Sequence, residues 1–349
     1  MNPNFWLPPL VILLLGFLWF RMPHLTRPDI FFAITVKPSF RKTPEAIDIL
    51  RKYNVQIFVH TAIAFAVVVA CNFLATEKLY ALAFGWQVAG PMLALKSANG
   101  RTRPFAAEPS REFEVDLSPN REPLPGGMVA FAIPFAILAA SAAILYLNWE
   151  QIPQNYPIHW GFDGKPNRWV ERTPRTVYGF LVIGALTCLS MVVMASVTLR
   201  SRRISVSGEQ GHNERQFRRL NLWTLLAAEY LVAFASGGLP ILTTLGGTMA
   251  RPQFTVLTLV FTILTAALLI RQGQGGSRLS PVSSSSKPTG DRTPDDCWKW
   301  GLFYVNPDDP ALFVEKRFGL GYTVNLGNPW SWVLVPAILA VPLGAILLR

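Results

Sequence analysis

The chain has 349 residues, 51% of them hydrophobic and 15% charged, with a mean hydropathy of +0.31, against roughly 25% charged in an average soluble domain. Charge is gathered into short clusters between long uncharged stretches, a segregation that a bilayer imposes and an aqueous surface does not. The net charge of +11 and pI of about 9.9 are read as Lys and Arg flanking membrane spans; no basic module remains once the apolar segments are set aside, which excludes nucleic acid as a partner.

A helix needs about 20 mostly apolar residues to cross roughly 30 Å of hydrocarbon. Read with that ruler, the sequence predicts an all-α integral membrane protein of about eight transmembrane helices with a small cytoplasmic β module. The spans fall at 5–20, 55–74, 79–95, 127–147, 177–199, 222–245, 254–270 and 331–348. Residues 1–126 form an N-terminal membrane segment of three spans, 127–199 a helix–hairpin–helix unit and 200–270 two further spans. A flexible linker at 271–294, a β module at 295–329 and a last transmembrane helix at 330–349 complete the chain. Met1 to Asn4 carry no basic residue and no small-x-small cleavage site follows, so the first apolar run is read as a retained span.

Orientation follows from basic residues. The connectors 21–54, 96–126, 200–221 and 271–330 together hold 25 Lys and Arg, against seven elsewhere. The positive-inside rule puts that group in the cytoplasm and both termini outside. Cys71 and Cys188 lie in apolar spans and Cys297 in a loop read as cytoplasmic, so no structural disulfide is expected.

In the connector 148–176, read as outer, Pro157 and Pro166 hold the approaches extended and Asp163-Gly164 gives a tight turn. His159, Trp160, Asp163, Arg168 and Trp169 crowd that turn as candidate contacts for an extracytoplasmic peptide or small ligand. The alternative is an ordered lid over the helices. One histidine with nearby carboxylates supplies too few ligands for a metal site. Within the spans, Glu229 lies about eight residues deep, roughly 10–12 Å at the helical rise, and His60 enters from the same side. An ionisable group in hydrocarbon is a functional candidate by default; the alternative is an interhelical hydrogen bond. The small-residue runs 136–143, Gly237-Gly238 and Gly246-Gly247 suit close helix packing.

From Gln272 to Pro294 the run of Gly, Ser and Thr has nothing to bury. Beyond it, Trp298, Trp300 and the runs 302–305, 312–314 and 319–326, split by Asn306-Pro307-Asp308-Asp309, read as a β-hairpin or meander. About 35 residues cannot bury a core alone, so the module is expected to pack on the end of the helices and offer a site for a cytoplasmic protein partner. Catalytic and cofactor signatures are missing: no Gly-x-Ser-x-Gly, His-Glu-x-x-His, Walker loop or dinucleotide fingerprint. The four histidines are scattered at His24, His60, His159 and His212. A non-enzymatic protein without cofactor is expected.

The pattern Ile152-Pro153…Tyr156-Pro157-Ile158-His159-Trp160…Gly164-x-Pro166-Asn167-x-Trp169 between two helices resembles the domain of unknown function in SdpI-type bacterial membrane proteins. Trp300-Gly301-x-Phe303-Tyr304-x-Asn306-Pro307-x-Asp309 with Gly321-Tyr322-Thr323-x-Asn325 resembles a second uncharacterised bacterial domain that accompanies it. The best-understood relatives protect the producing cell from a secreted toxic peptide and relay its presence to a cytoplasmic repressor. The resemblance implies a bacterial inner-membrane sensor or protective factor for an envelope-active ligand. The extra spans and the β module depart from a minimal immunity protein. The alternative is a small transporter using Glu229 and His60.

Overall fold

Helices dominate the structure, a computed structural model that describes residues 6–74, 79–108, 124–160, 166–200, 208–245, 260–278 except 262, 266 and 269, and 291–336 except 292. The chain divides into two compact units, Met1–Asp116 with Arg203–Glu214 and Ile270–Asn328, and Leu117–Arg202 with Arg215–Leu269 and Pro329–Arg349.

The first unit is built on three helices, α1 (Leu7–Arg21), α2 (Pro44–Phe73) and α3 (Tyr80–Thr102). Pro8 and Pro9 sit in the first turn of α1, where their missing N–H groups cost nothing. Thr43 caps α2, accepting from the Ala46 N–H at 3.3 Å, with Pro44 at the first position. Helices α2 and α3 run antiparallel: Phe40, just before α2, stacks on Phe105, just after α3, at 4.8 Å, and Tyr80 at the start of α3 bonds Asn72 at the end of α2. Gly90 lets them close up, since a Cβ there would lie 2.6 Å from His60 Cγ.

Between α1 and α2 runs a short hairpin, β1 (Ile30–Phe31) and β2 (Ile34–Thr35), whose two-residue turn is Phe32 (φ 43°) and Ala33 (φ 65°). Left-handed backbone in residues with a Cβ costs roughly 1–2 kcal/mol each. Packing holds it: Phe32 is buried against Phe31, Tyr53 and Phe318, and Asn99 Nδ2 donates to the Phe32 carbonyl at 2.7 Å.

The C-terminal part of this unit carries β5 (Trp298–Lys299) paired with β6 (Phe303–Tyr304), and β7 (Phe313–Glu315) paired with β8 (Tyr322–Val324), the hairpins joined by a parallel bridge from Tyr304 to Asn325. These are the small hairpins expected of the module. They share a core with the segment ahead of α2: Phe318 joins Phe31–Ile34, Tyr53, Ala94 and Ala98. The linker expectation requires correction over its described ends. Gln274 is buried, donates through Nε2 to the Gly321 carbonyl at 3.0 Å and accepts the Gly321 N–H at 2.8 Å, while its own N–H reaches Leu25. Asp291 and Thr293 are buried as well. Polar, glycine-rich composition concealed the fact that two long-range partners were waiting for these groups. Residues 279–290 lie outside the described residues.

The second unit holds α4 (Gly127–Leu147), a hairpin of β3 (Asn155–Trp160) and β4 (Pro166–Glu171), α5 (Pro174–Arg200) and, from Arg215 on, α6 (Gly208–Thr244). Its core gathers Leu138, Leu145, Val177, Leu181, Cys188 and Ala233. Gly184 is pressed against Ser236 and Gly237 against Ser141, with no room for a Cβ at either. Gly237 and Ser141 therefore lie where close helix approach requires small residues, whereas a Cβ at Gly238 would meet nothing within 4 Å; Gly246-Gly247 lies outside the described residues.

Among the described residues four helices are long and apolar enough to cross a membrane: Pro44–Phe73, Gly127–Leu147, Pro174–Leu199 and Arg215–Leu242. The expected count of eight is not supported. Helix α1 has 15 residues, about 22 Å at 1.5 Å each. Helix α3 has 23 but runs on through Lys96, Asn99 and Arg101. The apolar stretch near 260 is described only as the short helix Ile263–Gln272, and the last expected span lies mostly outside the described residues. Hydropathy counts apolar residues and does not say where a helix starts or stops.

Candidate functional site

The hairpin is the candidate recognition element, and its base is fixed from below. Arg172, just past β4, donates through Nη1 to the carbonyls of Trp149 (2.7 Å) and Ile152 (3.0 Å), meets Glu150 at 3.4 Å, and lies 5.5 Å over the Trp149 ring. Its N–H donates to the Gln154 carbonyl at 2.8 Å. Trp149 in turn stacks on Tyr178 at 6.1 Å. One guanidinium thus ties the end of α4, the entry to β3, and α5 together. Thr173 caps α5, accepting the Thr176 N–H, and Thr176 Oγ1 donates back to the Glu171 carbonyl at 2.7 Å.

Along β3 the alternation of a pleated strand sends Tyr156 into the core, with Ile158 and, across the ladder, Val170 packed beside it. Burial pushes the Tyr156 phenol above its ordinary range, against the pull of Thr176. Trp169, on the other face, is 58% exposed and Arg168 is exposed beside it. Pro157 pairs with Trp169, His159 with Arg168 and Trp160 with Pro166, with register shifts on either side of His159. The structure therefore brings Pro157, His159, Trp160, Pro166, Arg168 and Trp169 onto one hairpin, as the spacing predicts. Asp163 and Gly164, with the turn itself, lie outside the described residues.

His60 and Glu229, each on a helix apolar enough to cross a membrane, belong to different units. His60 lies against Gly90 with the Trp86 ring edge-on at 5.2 Å, and its Nδ1 has no hydrogen-bond partner among the described residues. One turn along, Gln87 is buried and donates through Nε2 to Thr61 Oγ1 at 3.2 Å and to the Ile12 carbonyl at 3.4 Å. Glu229 is fully buried in α6, and neither carboxyl oxygen has a hydrogen-bond partner among the described residues. Cys188 Sγ approaches its backbone carbonyl at 3.7 Å. Among the described residues no group of three or more His, Cys, Asp or Glu gathers as a metal site would require.

Two polar networks went unread in the sequence, both in the first unit. Arg317, 1% exposed, donates through Nε and Nη2 to both oxygens of Asp291 (2.8 and 2.7 Å), through Nη1 to Asp295 and to the Ala33 carbonyl (3.0 Å), and through Nη2 to the Thr293 carbonyl. Its guanidinium lies 5.7 Å over Trp298. Asp295 also accepts from Thr35 Oγ1 at 2.8 Å. Burial by itself would push Arg317 down and Asp291 up; each holds the other's charge, so Arg317 titrates above its ordinary value and Asp291 below. Asn325 is the second hub: its Nδ2 reaches the carbonyls of Asn306, Asp309 and Ala311, and its Oδ1 accepts the N–H groups of Asn306 and Gly327 at 3.0 Å. Tyr304 donates to Asp309 at 3.0 Å. The Asn-Pro-x-Asp and Gly-Tyr-Thr-x-Asn patches are thus halves of one fastening. The signal that could have found it was two Asx-rich turns flanking aromatic strands.

Comparison with known proteins returns two short matches. Residues 136–185 match a domain of unknown function (DUF1648) and residues 307–332 a family of unknown function (DUF5808). The first covers the end of α4, the hairpin and the start of α5; the second covers the Asn325 fastening from Pro307 to Trp332. No curated protein and no solved structure matches the chain. By sequence and by geometry, the two segments that stand out are the hairpin and the C-terminal β module, two domains of unknown function carried on apolar helices.

Proposed function

We propose that this chain is a non-enzymatic, multi-pass protein of the bacterial inner membrane, of the SdpI-like kind, that senses or protects against an envelope-active peptide or small ligand. The observation that carries this reading is the β3–β4 hairpin. It is buckled to α4 and α5 by Arg172 and keeps Trp169 and Arg168 at the surface. A rigid aromatic beside a cation is suited to engaging a peptide at the headgroup level. Basic residues gather before α4 and after α5, at Arg111, Arg121, Arg200, Arg202 and Arg203, which supports an outer hairpin. The same bias supports a cytoplasmic β module, which we take as the site for a protein partner.

The test replaces His159, Trp160 and Trp169 with Ala and exposes cells to envelope-active peptides. Loss of protection, or of the transcriptional response, is expected. Unchanged survival together with unchanged transcription sinks the reading. Reporter fusions near residues 160 and 310 should fall on opposite sides of the membrane.

Glu229 supports a second reading, a small transporter whose path uses Glu229 and His60. A buried carboxyl whose oxygens have no hydrogen-bond partner among the described residues is a candidate to take up and release a proton along such a path. Glu229→Gln should abolish such transport while leaving the fold intact; wild-type transport in that variant removes the reading.

A further inference from the structure

The tip of the β5–β6 hairpin is built against local preference. Trp300 has φ 56° and Gly301 φ 75°, in a turn closed by the Leu302 N–H to the Lys299 carbonyl at 3.2 Å. Asn, Asp or Gly suit the first of these positions, and a bulky aromatic there is an outlier. Strain of this kind marks a place where something other than local stability selects the residue. Trp300 is nevertheless 55% exposed, so core packing does not explain it. Gly301 is wedged below it, where a Cβ would meet Ala33 Cβ at 3.1 Å and Asn99 Nδ2 at 3.4 Å. The indole lies 5.3 Å from Lys96 Nζ and edge-on to Phe303, itself 38% exposed.

The helices locate this tip along the membrane normal. Gly90 meets His60, so in antiparallel helices of equal rise Lys96, six residues beyond Gly90, lies opposite Asn54, six before His60. That is where α2 changes character. Asp48, Arg51 and Lys52 form ion pairs on its charged turns, and Val55, Phe58 and Val59 then open an exposed apolar face. Helix α1 changes at the same level, since Tyr53 bonds the Trp19 carbonyl at 2.9 Å and Arg21 follows. Leu93 is exposed on the apolar side of Lys96. Three helices thus turn from apolar to charged in one plane, and Trp300 stands in it.

We propose that Trp300 and Phe303, with Lys96 and Lys299, form a membrane-interface anchor that binds the headgroups of anionic phospholipid and seats the β module on the bilayer surface. Indole and phenyl rings occupy the headgroup level, and flanking lysines take the phosphates. Lys299 is exposed, its Nζ donating to the Asp296 carbonyl at 2.9 Å, and the Asp296 carboxylate is engaged by Arg103 at 3.3 Å. The proposal rests on the membrane reading alone, which carbonate extraction of native membranes tests separately.

The full chain, purified in detergent, is followed by thermal unfolding with added phosphatidylglycerol, phosphatidylcholine or inorganic phosphate. Phosphatidylglycerol should raise the midpoint more than phosphatidylcholine, and phosphate should not raise it. K96Q/K299Q should lose half or more of the phosphatidylglycerol shift, while K37Q/K42Q, which removes equal charge from other exposed positions, should keep it. Equal shifts with both lipids, a full shift in K96Q/K299Q, or equal loss in the two variants overturns the anchor. A shift with inorganic phosphate alone makes the site one for free phosphate and overturns it as well. In vesicles containing phosphatidylglycerol, a fluorophore on Phe303→Cys should be quenched by lipids brominated near the headgroup and shielded from aqueous iodide; the reverse ordering also overturns it.

Discussion

Arg317 is the residue on which the first unit depends most. Its five donors are spent on Asp291, Asp295 and the carbonyls of Ala33 and Thr293, so truncation leaves a buried carboxylate without its partner. Arg317→Ala should destabilise the unit by about 3–5 kcal/mol, read as a lower denaturation midpoint or faster proteolysis near residue 300. The pH dependence follows from Asp291, held below the carboxylate range. A depressed carboxyl contributes stability that is complete above its unfolded pKa, about 3.9, and vanishes as pH falls through the folded value. In Arg317→Ala burial acts on Asp291 with its main counter-charge gone and raises its pKa. The gap between wild type and variant should therefore be widest at neutral pH and start to narrow above about pH 4, as the variant's Asp291 takes up its proton. Below about pH 4 it narrows further as wild type loses its own stabilisation. None of this is visible in the primary structure, where Arg317 reads as one more basic residue of a cytoplasmic connector. Its partners are 22 to 284 positions away, and no periodicity links them. Glu229 was legible because a charge inside an apolar run is conspicuous at any distance.

At the scale of elements, the legible features were those set by local rules. Proline on both approaches and alternating aromatics announced the β3–β4 hairpin, and it forms with those residues paired. Arg172, its buckle, was counted only as a topological charge. Arg172→Ala should free the hairpin base by about 1–3 kcal/mol, the cost of orphaned carbonyls, seen as faster hydrogen exchange over 155–171 with α4 unchanged. The β5–β6 turn offers the opposite sign. Trp300→Asn puts a residue tolerant of left-handed backbone at φ 56° and should stabilise the unit in detergent by about 1 kcal/mol, while reducing the phosphatidylglycerol shift. Gly301→Ala, strained and crowded by Ala33 and Asn99, should lower the midpoint in detergent and in vesicles alike. Hydropathy alone does not make spans of the helices at 7–21 and 80–102, for a physical reason. Both pack against α2, so each needs apolar residues whether or not it crosses the bilayer.

Over the whole molecule, composition and charge segregation pointed to apolar helices, and four of them have the length and hydropathy to cross a membrane. What the sequence concealed was how its segments regroup. The first unit draws on both distant parts of the chain, with Thr35 bonded to Asp295 and Ala33 to Arg317, while α4, α5 and α6 pack together in the second. That regrouping sets a timetable for biosynthesis. The strained turn at Phe32 and Ala33 leaves the ribosome nearly three hundred residues before the guanidinium that secures it. The earliest helices must therefore wait, incompletely closed, while everything between them and Arg317 is translated. Nascent chains arrested before residue 317 should be prey to quality-control proteases, and release should come abruptly once that arginine arrives.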